Sequence, residues 1–195
     1  MKKALMFLLI SLLVMTLCVG LVSCGGSDDD AENGGGNGGG TVSQNLTIDQ
    51  FTSAMKSVDE NFALRNMGGH YLYENDSYSS FTCKVYCDAD DYIKYIEINS
   101  NDIPERKVST ADDILNCINK PSNDMTGEET RVASCFSRLS CLIKMINKNA
   151  SSMTESDLAN IMSASVEPAT YGTWKLEVYH SLNGVQFIAS RPDAE

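Results

Sequence analysis

Residues 172–191 read GTWKLEVYHSLNGVQFIASR, and the reading of this stretch decides the fold. Trp174, Leu176, Val178 and His180 alternate with Lys175, Glu177 and Tyr179, the period-two pattern of a half-buried strand. Asn183-Gly184 is the strongest short-range hairpin signal, a two-residue turn with both residues at positive φ. In that register Leu182 faces Val185 and His180 faces Phe187. The chain therefore ends in an antiparallel hairpin with one apolar face.

Upstream, the same alternation recurs. In residues 79–88, SSFTCKVYCD, Phe81, Cys83, Val85 and Cys87 share one face, and Thr82, Lys84 and Tyr86 share the other. Residues 88–91, DADD, make a turn, and residues 92–99, YIKYIEIN, return as a second strand with imperfect alternation. Residues 70–74, HYLYE, supply a third.

Helical spacing fills the remainder. Ile48, Phe51, Met55, Val58 and Phe62 recur at three and four residues, which predicts an amphipathic helix over 47–66. Thr47 and Gln50 form its capping box, and Met67-Gly68-Gly69 stops it. Thr110 opens a short helix with Ile114, Leu115 and Ile118 on one face. Thr126 with Glu129 caps the longest, to about Lys148, with a stripe of Val132, Cys135, Phe136, Leu139, Leu142, Ile143 and Ile146. Thr154 with Asp157 caps another short one. The order is α-βββ-ααα-ββ. Strands arriving in clusters predict an α+β fold with a mainly antiparallel sheet. We expect about five strands in one sheet, the C-terminal hairpin joined to the meander, and about four helices on one face.

The first forty residues have a different character. Residues 4–22 are almost wholly apolar and follow Lys2 and Lys3, the layout of a secretory signal peptide. The competing reading is a membrane-spanning anchor, because nineteen such residues just reach across a bilayer. Residues 25–40, GGSDDDAENGGGNGGG, hold eight glycines and no large apolar side chain. They read as a flexible tether with a mean reach of roughly 20–25 Å.

Leu21-Val22-Ser23-Cys24 resembles the lipobox of bacterial lipoproteins. The resemblance implies that a diacylglycerol is attached to the Cys24 sulfur, that the chain is cut before it, and that the new N-terminus is acylated. Several acyl chains make a stable anchor where one does not. Ser27-Asp28-Asp29-Asp30 resembles the export signal that takes lipoproteins of Bacteroidetes-type bacteria to the outer cell surface. The organisation expected is a signal peptide over 1–23, a lipidated cysteine and tether over 24–45, and one domain over 46–195. The localisation implied is the outer membrane, facing the cell exterior, with a periplasm-facing anchor as the alternative.

Loss of Lys2 and Lys3 leaves 13 basic residues against 26 acidic ones, a net charge of −13. Such a chain repels nucleic-acid phosphates and anionic headgroups. Nucleic acid is excluded as a partner, and membrane contact is left to the lipid.

Five cysteines follow Cys24: Cys83, Cys87, Cys117, Cys135 and Cys141. Their spacings match no zinc pattern, and they read as structural thiols. Cys83 and Cys87 point to the core but stand about 13 Å apart along one strand, too far to bridge. Cys141 lies off the apolar stripe of its helix, among Ser134, Arg138 and Lys148, and is expected to be the most exposed thiol.

Catalytic signatures are sparse. There is no phosphate loop, GxSxG, HExxH or CxxC. Asp88-Ala-Asp-Asp begins like a calcium loop but has Ile93 where glycine is required. His180 faces the core, where Cys83 or Cys87 could approach it. A core histidine hydrogen-bonded to backbone is the commoner arrangement. No cofactor or metal site is expected.

Six of the eight tyrosines fall between Tyr71 and Tyr95. Tyr71, Tyr73, Tyr86 and Tyr179, with Lys84 and Lys175, form a candidate binding face, since tyrosine offers rigid apolar area and a hydroxyl. The bland alternative is that tyrosine is simply a good strand residue. The functional expectation is a non-catalytic module for a glycan or an envelope-protein partner. An envelope enzyme or accessory hydrolase with an unrecognised site, and a steric or inhibitory lipoprotein, are the alternatives.

Overall fold

Four threonines open four helices by the same exchange of hydrogen bonds. Thr47, Thr110, Thr126 and Thr154 each accept the backbone N–H three residues on. Gln50, Asp113, Glu129 and Asp157 return a side-chain bond to the threonine's own N–H, completing the capping box. The helices are α1 (Ile48–Lys56), α2 (Ala111–Ile118), α3 (Gly127–Ile146) and α4 (Glu155–Ser163). The computed structural model describes residues 45–75, 81–147, 149–164 and 168–192. The expectations for the signal peptide, Cys24 and the tether fall outside them.

Helix α1 ends well before Asn66, where the spacing had carried it. Past Lys56 the chain turns on Asp59, whose Oδ1 accepts the Asn61 N–H at 3.2 Å and whose carbonyl accepts the Phe62 N–H. Phe62 thereby enters the core from a turn. Met67-Gly68-Gly69 is correspondingly a hairpin loop between β1 (Arg65–Asn66) and β2 (Tyr71–Asn75). Gly68 sits there at φ +85°, which glycine adopts without steric cost.

The sheet is antiparallel throughout, in the order β1-β2-β3-β4-β7-β6-β5. Its remaining strands are β3 (Phe81–Cys87), β4 (Ile93–Asn101), β5 (Ala169–Tyr171), β6 (Trp174–Ser181) and β7 (Gly184–Ser190). The fold is α+β, and β4 pairing with β7 joins the meander to the C-terminal hairpin. The seven strands exceed the expected five by β1 and β5, two and three residues long at the sheet's edges. Such short strands hold too little sequence for a period to register.

The hairpin register differs from expectation by two residues. Ser181 pairs with Gly184, His180 with Val185 and Val178 with Phe187, so Leu182 and Asn183 form the turn. Gly184 lies within β7 instead, where a Cβ would come 2.8 Å from the Ser100 carbonyl oxygen of β4. Its missing side chain serves close strand approach and not turn conformation. A two-residue slip leaves every side chain on its original face, so the faces read from the alternation hold.

Imperfect alternation in β4 also has a local cause. Tyr86 pairs with Tyr95, yet Cys87 pairs with Ile93, so Lys94 is the extra residue of a β-bulge. Ile93 and Ile96 can then both face the core, although two residues separate them.

The helices cover one face of the sheet. Phe81, Cys83, Val85, Ile96, Ile98, Trp174, Leu176 and Phe187 on that face are buried, as is the whole predicted stripe of α3. Helix α3 touches each of the other three, so its buried arc is wider than one stripe. Arg138 lies on the widened arc, over the Phe81 ring, and Cys141, three residues on, is 8% exposed. Cys141 is thus not the most exposed thiol; the expectation failed because it allowed α3 only one packed side.

Of the five described cysteines, Cys87 is the one not buried. It ends β3 beside the bulge, where the sheet stops covering it. Burial pushes the Cys135 thiol up to about 11. Cys87 is raised also, by its partial burial and then by Asp91 and Asp88, and thiol reactivity follows the thiolate. Alkylation of the native protein is expected to label Cys87 before the other four, faster as pH rises. Labelling of Cys141 first would contradict this packing.

Candidate binding face

Strand parity puts a second set of side chains on the sheet's other face, which no described helix covers. Three cross-strand rows follow from the pairing. The first runs Lys175, Ser190, Tyr95 and Tyr86; the second Glu177, Ile188, Glu97, Lys84 and Leu72; the third Tyr179, Gln186, Asn99, Thr82 and Glu74. Every one of these side chains is at least partly exposed. A one-sided antiparallel sheet ordinarily gives this face a polar surface; here aromatic rings interrupt it.

Four of the six predicted residues, Tyr86, Tyr179, Lys84 and Lys175, come together on this face. Tyr71 and Tyr73 do not. Tyr71 pairs with Val85 and Tyr73 with Cys83, so both point to the helices. Tyr73 is buried against Phe62 and Phe81, with ring centroids 4.6 and 5.6 Å away. In residues 70–74 the apolar side chains occupy both parities, and only pairing with β3 chooses between them. Tyr95, Glu97, Asn99 and Gln186 were missed. Parity counted from Ile96, Ile98 and Phe187 would have found them.

Two centres organise the face. At one end His70 stacks on Tyr86 at 5.3 Å and 24°, and Tyr86 meets Tyr95 edge to face at 5.5 Å. Partial burial and then the nearby Glu97 carboxylate raise the Tyr95 hydroxyl above its ordinary value, keeping it a neutral donor. Near the middle, Glu97 Oε1 accepts hydrogen bonds from Asn99 Nδ2 at 2.8 Å and Gln186 Nε2 at 3.2 Å. Lys175 Nζ lies 2.8 Å from Glu177 Oε1, an exposed pair that adds little stability. Aromatic area, amides and a fixed carboxylate suit reversible recognition by stacking and hydrogen bonding.

The histidine and aspartate that the sequence singles out for chemistry are engaged elsewhere. His180 and Cys83 lie on β6 and β3, with β7 and β4 between them, about 14 Å apart at the ordinary strand spacing. His180 Nε2 sits 2.7 Å from the Met162 carbonyl oxygen, so the backbone-bonded histidine is the observed arrangement. Asp88 accepts the N–H groups of Asp90 and Tyr92 on Oδ1 and Arg191 Nη2 on Oδ2. That makes residues 88–91 a tied turn. Among the described residues, no three His, Cys, Asp or Glu side chains converge on a metal position.

An open cleft of about 330 Å³ lies between α2 and the start of α3, lined by Arg106, Lys107, Asn116, Cys117, Lys120 and Glu129. Its charges neutralise one another. Lys107 and Lys120 both donate to Glu129 Oε1, at 3.0 and 2.8 Å, and Arg106 pairs with Glu128. The Lys120 bond, the Thr126 N–H and the Lys107 bond hold the Glu129 carboxyl down at about 2. A depressed carboxylate contributes stability above its ordinary value near 4.5 and loses it as pH falls toward about 2. Glu129→Gln should therefore lower the unfolding temperature at neutral pH, and the gap to the parent should close on acidification. A gap independent of pH would assign the loss to something other than these ion pairs.

No protein-family model matches this chain, and comparison with curated proteins and with solved structures found no match. Among the described residues no helix is long and apolar enough to cross a membrane.

Proposed function

We propose that this chain is a lipoprotein anchored through Cys24 in the outer membrane, facing the cell exterior, and that its domain binds a glycan or an envelope-protein partner without catalysis. The binding half is carried by one observation. The sheet face left open by the helices mixes tyrosines with amides and charges where a merely solvated surface needs only polar groups. The strongly acidic balance of the chain, 26 acidic residues to 15 basic, argues against nucleic acid as the ligand. The anchoring half is supported by the basic start, apolar run and Leu-Val-Ser-Cys motif of residues 1–24. A tether rich in glycine and aspartate then holds the domain clear of the lipid surface.

Each half has its own test. Cys24→Ala should abolish incorporation of labelled palmitate, and normal incorporation would rule out this anchor. Replacing Asp28, Asp29 and Asp30 by alanine should hide the protein from protease added to intact cells; unchanged cleavage would argue against the surface signal. For binding, a Tyr86→Ser, Tyr95→Ser double variant should weaken retention of the envelope ligand by about tenfold or more. Full retention by a folded variant would count against the open face.

A further inference from the structure

At the hairpin end of the open face the pairing continues past the third row, with Ser181 beside Gly184 and Gly184 beside Asn101. Gly184 leaves a gap in the side-chain layer, a depression of about 160 Å³ lined by Asn99, Asn101, Tyr179, Ser181, Gly184 and Gln186. A Cβ on Gly184 would fill the floor, 3.3 Å from both Asn101 Oδ1 and Ser181 Oγ. Tyr179 forms one wall and is 47% exposed, presenting an apolar ring to solvent. His180, which also borders the depression, is held at the Met162 carbonyl.

We propose that this depression holds a single neutral, hydroxyl-rich sugar ring of a glycan. The proposal rests on reading the open face as the binding surface and names its ligand. Glu97 supplies the decisive constraint. An ionised carboxylate only accepts hydrogen bonds, so the NH2 groups of Asn99 and Gln186 must turn toward it, as their bonds to Oε1 show. In each amide the oxygen lies opposite the nitrogen, so Asn99 Oδ1 and Gln186 Oε1 turn away from Glu97 as acceptors. Ser181 Oγ donates to the Gly184 carbonyl at 3.3 Å and keeps its lone pairs. The lining offers acceptors of fixed direction, an amide and a phenol that donate, and one ring face. It holds no cation for a phosphate, sulfate or carboxylate. The volume lies below the ~300–1,000 Å³ that encloses a drug-sized ligand. One ring fits, its affinity is weak, and many anchored copies supply avidity.

Saturation-transfer NMR on the full-length protein in detergent tests this with methyl glycosides of glucose, galactose, mannose and N-acetylglucosamine, and with glucuronate as the anionic probe. At least one neutral glycoside should be saturated. Tyr179→Ala, an exposed position that should not disturb folding, should weaken it about tenfold, whereas Lys144→Ala, an exposed position on α3 away from the open face, should not. Equal saturation in Tyr179→Ala, or preference for glucuronate, overturns the proposal. If no neutral glycoside binds while the Tyr86, Tyr95 variant still loses its envelope ligand, the sugar site is rejected and the binding face stands. Failure of both rejects both.

Discussion

Arg138→Ala should cost about 3–5 kcal/mol of stability, read from the midpoint of urea unfolding, because it strands a buried carboxylate. Arg138 is only 7% exposed, with its guanidinium 3.7 Å from the centre of the Phe81 ring. Its Nη2 lies 3.4 Å from Asp59 Oδ2, which also accepts the Tyr73 hydroxyl at 3.1 Å. The Asp59 side chain is itself 8% exposed, so water cannot replace the lost cation. The account predicts strong coupling. Arg138→Met combined with Asp59→Asn removes both charges, keeps the volume, and should recover most of the loss. Additive losses in the double variant would mean that the pair is not a unit. An alanine variant within about 1 kcal/mol of the parent would mean that Asp59 reaches solvent.

Phe62→Ala should cost a similar amount, about 3–5 kcal/mol. The ring is fully buried, with its centroid 5.9 Å from Phe51 and 4.6 Å from Tyr73. It joins α1 to β2 and, through Tyr73, to β3. The comparison with Val58 is informative, because sequence spacing puts both on one helical stripe. In the fold Val58 is only partly buried, so Val58→Ala should be much milder. Equal losses would favour a continuous helix through Phe62 over the turn at Asp59.

These two sites mark where sequence reasoning succeeds and where it stops. Capping boxes at Thr47 and Thr126 are local, because the cap and its partner are three residues apart, and both start helices as read. Alternation in residues 81–87 and 174–181 gave the correct faces, since parity survives a two-residue slip of register. What was illegible depended on a partner elsewhere in the chain. Tyr73 could not be assigned to the core until β2 was paired with β3. Cys141 could not be called buried without knowing that α1, α2 and α4 all touch α3. Gly184 reads as a turn residue until Ser100 is brought against it from β4. The candidate face was partly legible for the same reason. Tyr86, Tyr179, Lys84 and Lys175 follow from parity, whereas the bonding of Asn99 and Gln186 to Glu97 needs three strands in register.

Hydroxyl-radical footprinting of the protein on intact cells, compared with the purified full-length protein, tests most directly whether the open face is where the ligand binds. The account predicts that Tyr86, Tyr95 and Tyr179 are protected on cells, while the partly exposed Tyr71 and Tyr171, which pair with core-facing Val85 and Trp174 and so lie on the helical side, label as they do in the purified protein. Protection confined to the helical side, or equal labelling of all five tyrosines in both samples, would contradict it.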